Sequence, residues 1–502
     1  MSASTSCTYP VLDREATLAS LPPEHDTTDL TTTIASRVAS DDQTIVALDD
    51  DPTGTQTVYG LPVLTEWSES ALDGEFGRGT PAFYVMTNSR SLTPEKAAEV
   101  NRVIAQRLLK AAQKYGRRLS TISRSDSTLR GHYPLEIDVL AEALGGADTG
   151  GVDGQILVPF FAEGGRLTIN DVHYVAEGDN KLVPAAQTPF ANDAAFGFKH
   201  SNLRDYVQEK TGGRIRREDV VSITLEDLRG VGGDGDVEPP ERVRAKLSKL
   251  SNMQACIVNA VTLRDVQVFA LGLLDAESRD NKRFLVRSAA SFVQARIGLP
   301  KRPILDASVI CNSSGSSGGG GSNAENHGGL IVVGSYVPKT TSQLGLLLKL
   351  DGLEKIEINV ADLVDASRRA DAIDAVLSRV EKAITSGKNT VVYTSRTLVT
   401  GNTPSESLAI GNAVSDGLVT IVSKLQSQPR FIIAKGGITS SDVATKGLGI
   451  KRAMVLGQAA PGIPVWSIGE EGKFPGMSYV VFPGNVGGED ELAKLVGRLS
   501  TK

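Results

Sequence analysis

Residues 44–57 read Thr-Ile-Val-Ala-Leu-Asp-Asp-Asp-Pro-Thr-Gly-Thr-Gln-Thr, and this stretch decides the fold. The apolar run 44–48 predicts a buried β-strand, and three carboxylates (Asp49, Asp50 and Asp51) follow where that strand would end. In open α/β sheets, ligands bind at the carboxyl ends of parallel strands. Adjacent carboxylates repel one another, so we expect hydroxyls, a cation or a polar ligand beside them. A solvated acidic turn is the alternative interpretation of this segment.

Similar apolar runs alternate with helical patterns along the chain, which is typical of parallel α/β sheets. In the first half, the predicted strands are 44–48, 82–86, 119–123, 155–158, 255–259 and 284–286. In the second half, they are 330–333, 355–358, 391–394, 431–434, 453–456, 465–468 and 479–482. Helices are predicted at 94–115, 370–386 and 405–425. The expected fold class is α/β, with two α/β domains whose mostly parallel sheets face a central cleft.

The clearest domain boundary is a Gly/Ser-rich stretch, 313–322, whose composition cannot build a core and is typical of a flexible coil. The predicted organisation follows from this boundary. It consists of an N-terminal extension at 1–40, a first domain at 41–310, a flexible loop or linker at 311–328 and a second domain at 329–502.

The composition restricts the classes of partner. The 502 residues are 40% hydrophobic and 22% charged, as in ordinary globular proteins, and the net charge of −6 argues against nucleic acid or an anionic membrane as partner. The three cysteines are far apart, the five histidines lack zinc spacing, and no secretion signal or membrane-length apolar run occurs. We therefore expect a cytoplasmic protein with small-molecule partners and no metal-binding residue set of its own; whether it forms a homodimer stays open.

Four polar loops follow predicted strands of the first domain. They are Asp50-Asp51-Pro52-Thr53-Gly54, Asn88-Ser89-Arg90, Arg124-Ser125-Asp126-Ser127-Thr128-Leu129-Arg130 and Glu163-Gly164-Gly165-Arg166. If the strands are parallel, the four arginines would converge near the carboxylates of Asp50, Asp51 and Asp126. Guanidinium groups pair with a carboxylate at two points, and Asp and Ser side chains bind hydroxyls, so this set suits a small polyhydroxy acid. A surface position or a structural ion pair is the alternative for any single arginine.

The second domain has glycine loops after its strands. Paired glycines before a helix that starts with Thr or Ser let backbone amides close on a phosphate, aided by the helix dipole. No GxxxxGK[ST] motif is present, so the sequence predicts a nucleotide site without a P-loop. Plain turns and helix caps are the alternative for any one loop. The candidate nucleotide-binding residues are Gly334, Ser335, Gly436, Gly437, Thr439, Gly457, Gly462, Gly484, Asn485 and Gly487.

These motifs resemble the four-carbon acid sugar kinases, a family formerly catalogued as a domain of unknown function. The matching segments are Asp50-Asp51-Pro52-Thr53-Gly54, Asn88-Ser89-Arg90, Asp126-Ser127-Thr128-Leu129-Arg130-Gly131, Gly436-Gly437-Ile438-Thr439 and Gly484-Asn485-Val486-Gly487. The resemblance implies an N-terminal sugar-acid domain and a C-terminal nucleotide domain. It further implies a kinase that uses ATP and Mg²⁺ to phosphorylate the terminal hydroxyl of threonate-, erythronate- or 3-oxo-tetronate-like acids.

Site roles follow from the loop chemistry and this resemblance together. The candidate substrate-binding residues are Asp50, Thr53, Gly54, Asn88, Ser89, Arg90, Arg124, Ser127, Arg130 and Arg166. A carboxylate should take the hydroxyl proton, and the sequence leaves Asp51 and Asp126 as equal candidates. The family commonly has an aspartate where this chain has Ile438, so Asp442 would have to take over that role.

Two alternatives stay open. Val486 replaces the aromatic residue of the family's Gly-Asn-Phe-Gly, and together with Ile438 it keeps open a catalytically inactive ligand-binding or regulatory homologue. The other alternative is a sugar-acid oxidoreductase or lyase. That class needs a nicotinamide fingerprint after a strand or a Schiff-base lysine, and the sequence offers neither convincingly.

Overall fold

The computed structural model describes residues 8–25, 29–145, 151–178, 180–232, 237–311, 326–396 and 403–500. The chain divides into two compact units. The first unit comprises Met1–Gly54 and Glu66–Lys301, and the second comprises Thr55–Thr65 and Arg302–Lys502. The second unit therefore takes in Thr55–Thr65 and 302–310, which were expected in the first domain. The predicted Gly/Ser-rich linker, 313–322, lies outside the described residues.

The described residues contain strands and helices in alternation. The strands are β1 (Leu12–Asp13), β2 (Gln43–Asp49), β3 (Pro62–Leu64), β4 (Ala82–Met86), β5 (Arg118–Arg124), β6 (Gly154–Val158), β7 (Arg166–Ile169), β8 (Val172–Glu177), β9 (Lys181–Pro184), β10 (Val221–Ile223), β11 (Gln254–Val258), β12 (Phe284–Ser288), β13 (Leu330–Val333), β14 (Glu354–Ile358), β15 (Thr390–Thr394), β16 (Phe431–Lys435), β17 (Arg452–Ala460), β18 (Ile463–Ile468) and β19 (Ser478–Phe482). The helices are α1 (Arg14–Ser20), α2 (Leu30–Ser40), α3 (Glu69–Gly77), α4 (Pro94–Lys114), α5 (Leu135–Leu144), α6 (Leu203–Lys210), α7 (Leu225–Arg229), α8 (Pro239–Leu247), α9 (Leu263–Arg279), α10 (Ala290–Arg296), α11 (Ala307–Cys311), α12 (Pro338–Leu347), α13 (Val360–Val364), α14 (Arg369–Thr385), α15 (Pro404–Lys424), α16 (Gly437–Asp442) and α17 (Glu491–Ser500).

The central sheet of the first unit is parallel. Its strand order is β10-β11-β6-β12-β5-β2-β4, and all of these neighbours pair in parallel. The chain runs from β2 to β4 on one side and then to β5 on the other, so the strand order reverses between β2 and β5. Such reversal points open a crevice at the carboxyl ends of the strands, where ligands bind. A smaller antiparallel sheet, β1-β9-β8-β7, accompanies it.

The second unit has a mixed sheet. Its strand order is β3-β17-β18-β19-β16-β13-β15-β14. The strands from β19 to β14 in that order pair in parallel, whereas β18 is antiparallel to both of its neighbours and β3 is antiparallel to β17. The strand order reverses between β13 and β16, which makes the carboxyl ends of these two strands the expected ligand-binding edge.

The local sequence explains the main elements. All seven residues of β2 are buried, as expected for a strand with packing on both faces of a parallel sheet. In α4, Thr93 caps the helix by accepting a hydrogen bond from the Lys96 amide, and Pro94 occupies the first turn. Buried residues recur at Ile104 and Leu108 on the face of α4 that packs inward.

The two α/β domains and all predicted strands are confirmed, with most strand ends within one or two residues. One predicted loop is corrected. Gly457 was expected in a nucleotide loop, but β17 continues to Ala460 and pairs Gly457 with Val465. Its φ of +142° lies in a range that suits glycine, and the register shifts beside it, so the glycine forms a bulge instead of ending the strand.

No helix in the described part of the chain has the length and apolar character needed to cross a bilayer.

Candidate functional site

The loops after β2, β4 and β5 of the first unit meet at Asp50. The side chain of Asp50 is buried, and Arg90 donates to its two carboxylate oxygens, from Nε at 3.0 Å and from Nη2 at 2.5 Å. Ser125 Oγ donates to the same carboxylate at 2.9 Å. Arg90 Nη1 also lies 3.6 Å from Asp51 Oδ2 and 4.0 Å from Asp126 Oδ2. One guanidinium group therefore connects three carboxylates from two loops.

Asp49, the last residue of β2, extends this cluster inward. Arg124 Nη1 lies 3.0 Å from Asp49 Oδ1 and 3.6 Å from Asp50 Oδ1. Burial raises the pKa of Asp49 to about 7, although the charge of Arg124 acts in the opposite direction. Gly54 packs on this carboxylate, because a Cβ there would lie only 1.9 Å from Asp49 Oδ2. Asp49 is not among the site residues expected from the sequence, although its place at the end of a predicted strand was a signal for it.

Asp51 and Asp126 are held in their ionised forms. Burial works against ionisation, but Arg90 and hydrogen bonds from Thr53 lower the pKa of Asp51 below its usual range. Burial is likewise outweighed at Asp126, where Arg90 and Arg130 keep the pKa well below its usual range. Both carboxylates are therefore charged at neutral pH and can accept hydrogen bonds.

The turn at 126–131 is shaped by its own residues. The Thr128 amide donates to Asp126 Oδ1 at 3.0 Å, and the Thr128 hydroxyl donates to Oδ2 at 2.7 Å. Gly131 has a φ of +111°, and a Cβ there would lie 2.8 Å from Ser125 Oγ and 3.1 Å from Asp50 Oδ2. Only glycine lets this turn close against Asp50 without strain.

Residues from remote strands support the same turn. His173 was expected near the site loops from the sequence, whereas Arg287 was not. Arg287 on β12 donates to Ser125 Oγ at 2.9 Å and to the Arg130 carbonyl at 2.8 Å. His173 on β8 is fully buried, and its Nε2 lies 2.7 Å from the Ser127 carbonyl. Burial lowers the pKa of His173 to about 4, so the ring is neutral and donates this hydrogen bond from Nε2.

The side chains of the predicted loop after β4 differ in burial. Ser89 is fully buried, and its hydroxyl donates to Glu136 Oε1 at 2.5 Å. Burial and the neighbouring Asp50 raise the pKa of Glu136. Asn88, which has a left-handed φ of 51°, and Arg90 are half-buried. The Ser89 hydroxyl therefore points into the protein, whereas Asn88 and Arg90 stay partly accessible.

The fourth predicted loop reaches the cluster through its arginine. Arg166 begins β7 and donates from Nη1 to the Gly164 carbonyl. Its guanidinium carbon lies 5.7 Å from the ring centre of Phe190, and that of Arg130 lies 5.2 Å from the same ring. The parallel strands therefore bring all four predicted loops, three of which carry the four arginines, to one edge of the first unit's sheet.

In the second unit, the loops after β13 and β16 are in close contact. A Cβ at Gly334 would lie 2.7 Å from Thr439 Oγ1. A Cβ at Gly436, whose φ is +118°, would lie 2.8 Å from the Cβ of Ser335. Gly437 is the first residue of α16. Five of the predicted nucleotide-binding residues therefore lie together at the strand-order reversal of this sheet.

Lys435, the last residue of β16, joins this pair of loops to the loop 483–488. It is fully buried, and its Nζ donates to the carbonyls of Pro483 at 2.5 Å and Gly484 at 3.1 Å. Burial and the charge of Lys339 lower the pKa of Lys435 to about 7. Lys435 is not among the residues expected from the sequence, because its burial depends on contacts with a loop almost fifty residues further along the chain.

Residues in the first turn of α12 contact the predicted nucleotide-binding residues of the loop 483–488. Thr340 Oγ1 donates to the Gly484 carbonyl at 3.3 Å, and Lys339 Nζ lies 3.5 Å from the Asn485 carbonyl. Gly487 has a φ of +80°, a conformation that suits glycine. Gly462 borders this loop in the turn between β17 and β18, because a Cβ there would lie 3.1 Å from a Val486 methyl. Gly457 instead packs against Leu305.

The two positions at which this chain departs from the motifs of the family it resembles differ in burial. Val486 is partly buried against the core of the second unit, whereas Ile438 is exposed. Ile438, in the first turn of α16, is 67% exposed, and Tyr336, in the loop after β13, is 64% exposed. Asp442 lies one turn after Ile438; its Oδ2 accepts from Ser415 Oγ at 2.5 Å and its Oδ1 lies 2.9 Å from Lys446 Nζ. Among the described residues, no three or more His, Cys, Asp or Glu side chains are arranged so that they could hold a metal ion.

Comparison with known proteins identifies both units. Residues 45–296 match the family model of a sugar-binding N-terminal domain, and residues 330–492 match that of a nucleotide-binding C-terminal domain. No curated protein matches the chain. The crystal structure of "the putative tRNA synthase from Salmonella typhimurium LT2" has a TM-score of 0.62 at 17% identity, covering 91% of this chain and 98% of that one.

Haemophilus influenzae protein HI1011, of the family DUF1537, has a TM-score of 0.56 at 16% identity, covering 90% of this chain and 99% of that one. At these identities the two crystal structures establish the fold. The family models go further, because together they span most of the chain and contain both loop clusters described above. The chain therefore belongs to the family that joins a sugar-binding N-terminal domain to a nucleotide-binding C-terminal domain, consistent with the four-carbon acid sugar kinases that its motifs resemble.

Proposed function

We propose that this protein is an ATP-dependent kinase that phosphorylates the terminal hydroxyl of a four-carbon sugar acid. One observation carries the proposal. A sugar-binding domain whose strand ends carry an arginine–carboxylate cluster is joined, in the same chain, to a nucleotide-binding domain whose strand ends carry glycine loops. Threonate, erythronate and 3-oxo-tetronate acids are the substrates that the family resemblance suggests.

The first unit would recognise the acid through its mixed charges. Arginines neutralise the ligand carboxylate, and the ionised Asp51 and Asp126 accept hydrogen bonds from its hydroxyls. The arginines are already aligned by carboxylates, as Arg90 is by Asp50, so their side chains lose little freedom when the acid binds.

The reaction would transfer the γ-phosphoryl group to the acid. The terminal hydroxyl oxygen bonds to the γ-phosphorus while the bond to the β–γ bridging oxygen breaks, and ADP leaves with that oxygen. The hydroxyl proton would pass to Asp51. Among the described residues, Asp51 Oδ2 accepts no hydrogen bond and faces Arg90 at 3.6 Å, whereas Asp126 Oδ2 already accepts from Thr128 and Arg130.

The nucleotide would bind the loops that meet at Gly334 and Gly436, where backbone amides can approach its phosphates. Mg²⁺ bound to the nucleotide would neutralise phosphate charge. Ile438 offers no ligand, and both oxygens of Asp442 already contact Ser415 and Lys446. This sparse donor set fits a Mg²⁺ ion held mainly by the nucleotide phosphates and water, as is usual for this ion, with Asp442 as the nearby protein carboxylate.

An ADP-release assay tests the proposal directly. The full chain is incubated with MgATP and, separately, with D- and L-threonate, D- and L-erythronate and their 3-oxo forms. We expect ADP release to depend on one or a few of these acids and to yield a phosphorylated acid by mass spectrometry. A folded sample that releases no acid-dependent ADP with any of them would contradict the kinase assignment.

Replacing Asp51 by Asn tests the proton acceptor. Because phosphoryl transfer depends mostly on positioning and charge, we expect kcat to fall by roughly 10- to 100-fold while acid affinity changes less than about threefold. The matched control is Asp138→Asn, a surface carboxylate paired with Arg214, which should leave kcat unchanged. If Asp126→Asn abolishes turnover and Asp51→Asn does not, the proton acceptor is Asp126.

A catalytically inactive binding protein is the second candidate, and the exposed Ile438 favours it. An apolar side chain with 67% exposure occupies the position where the resembling family has an aspartate. If the chain binds ATP and the acid without turnover, the Ile438→Asp variant should gain acid-dependent ADP release. An active parent chain excludes this second function.

A further inference from the structure

Two arginines of the first unit share one aromatic ring. Arg130 comes from the turn after β5 and Arg166 from the start of β7, yet their guanidinium carbons lie 5.2 and 5.7 Å from the ring centre of Phe190. Phe190 belongs to a 3₁₀ turn, Pro189–Asn192, that lies between β9 and α6. Three separate segments of the chain therefore meet here, and two of them bring positive charges to the same ring.

The pair has few carboxylate partners for two half-buried cations. Arg130 Nε donates to Asp126 at 2.6 Å, and Arg130 Nη1 lies 3.6 Å from Asp193. Arg166 has no carboxylate within 4.0 Å in the described part of the chain, and its buried Nε has no hydrogen-bond partner. A half-buried guanidinium whose Nε donor is buried and unpaired, and which lies beside a second guanidinium, is stabilised when an anion binds.

The electrostatics of Arg166 agree with this geometry. Burial lowers the pKa of Arg166, and the charge of Arg130 lowers it further, while Asp126 acts in the opposite direction. An aromatic ring suits such a pair, because its face attracts a cation without cancelling the charge and leaves the in-plane N–H groups free. A carboxylate in place of Phe190 would neutralise the two arginines that are to bind the ligand.

We propose that Phe190 is a positioning residue for acid recognition, whose ring holds Arg130 and Arg166 together so that both bind one carboxylate of the ligand. This inference rests on the proposed sugar-acid substrate and adds the element that selects a short polyhydroxy acid over a neutral sugar of the same length. Phe190 itself contacts the arginines and need not touch the reacting hydroxyl.

The test compares Phe190→Leu, which keeps apolar volume but removes the ring, with Phe190→Tyr, which keeps the ring. Binding of the threonate and erythronate stereoisomers to the full chain is measured by calorimetry, together with ATP binding and thermal unfolding. Loss of two cation–ring contacts should weaken acid binding in Phe190→Leu by roughly 5- to 30-fold. Phe190→Tyr should stay within about threefold of the parent chain, and ATP affinity should not change in either variant.

A kinetic readout separates positioning from general damage. In Phe190→Leu, KM for the acid should rise by the same factor as the dissociation constant while kcat stays within about twofold. The matched control is Phe474→Leu, which removes a ring 5.4 Å from Lys473 in the second unit and should leave acid binding unchanged.

The outcomes are distinguishable. If the parent chain binds none of the acids, the proposed substrate and this inference both fail. If the parent chain binds an acid and Phe190→Leu binds it equally well, the inference fails and the kinase proposal stands. Equal losses in Phe190→Leu and Phe190→Tyr would also overturn it, because the ring would then not be what acts on the arginines.

Discussion

Replacing Arg90 by Met is expected to lower the free energy of unfolding of the first unit by about 3–5 kcal/mol at pH 7 and to abolish measurable acid binding. The reason is the position of its guanidinium group, which pairs at two points with the buried Asp50 and lies within 4.0 Å of Asp51 and Asp126. Met fills much of the volume but leaves three carboxylates without their shared counter-charge.

The loss should depend on pH, and its sign follows from the pKa shifts. Arg90 lowers the pKa of Asp51 and Asp126 below the ordinary value of 3.8, so these groups contribute stability above that value and lose it as the pH falls through their folded-state pKa. Without Arg90 both pKa values rise, and protonation relieves the repulsion in the variant. The difference in unfolding free energy should therefore be largest at neutral pH and shrink as the pH falls to about 4.

Urea unfolding of both proteins at several pH values provides the measurement, with a fluorescence probe in each unit because two units need not unfold together. The matched control is Arg102→Met. Arg102 and Glu142 form an exposed pair at 3.4 Å, which should contribute no more than about 1 kcal/mol. A loss that is equally large in the control, or that does not vary with pH, would show that the carboxylate cluster is not its source.

Most strands of the two main sheets could be predicted from the local sequence pattern. Runs such as 44–48 and 431–434 are apolar, short and bounded by polar loops, and strands packed on both faces in a parallel sheet have this sequence. Six strands in the described part of the chain were missed, and each is either very short or part of the separate antiparallel sheet: β1, β3, β7, β8, β9 and β10. β3 has only three residues and pairs antiparallel with β17 from the far end of the chain, so nothing within 55–65 specifies it. β7, β8 and β9 form a separate antiparallel sheet.

The candidate site shows the same division between local and non-local information. Loops at the ends of parallel strands must share an edge, which is why Arg90, Arg124 and Arg130 could be expected near one another from sequence. The supports could not be predicted, because burial decides their roles. Lys435 is an ordinary strand-end lysine in the sequence, yet it is fully buried beneath the loop 483–488. The contact of Phe190 with two arginines likewise depends on tertiary packing.

Replacing Gly436 by Ala is expected to weaken ATP binding by more than about 30-fold while acid binding stays within about twofold. Two effects add at this position. The φ of +118° lies where L-residues are strained, and the new Cβ would lie 2.8 Å from the Cβ of Ser335, so the loops after β13 and β16 would have to separate. Together these effects should cost about 2–4 kcal/mol of ATP-binding free energy, because the loop that would hold the phosphates is the one that is displaced.

Two control variants separate the causes. Gly352→Ala carries a positive φ of +73° with nothing within 4 Å, so it shares the backbone strain without the collision and should leave ATP affinity unchanged. Gly345→Ala, inside α12 with nothing within 4 Å, should raise stability by about 0.5–1 kcal/mol, because alanine favours helices over glycine. Calorimetric titration of each variant with ATP and with the sugar acid decides the matter. If Gly436→Ala binds ATP as tightly as the parent chain, the nucleotide does not bind at the junction of these two loops.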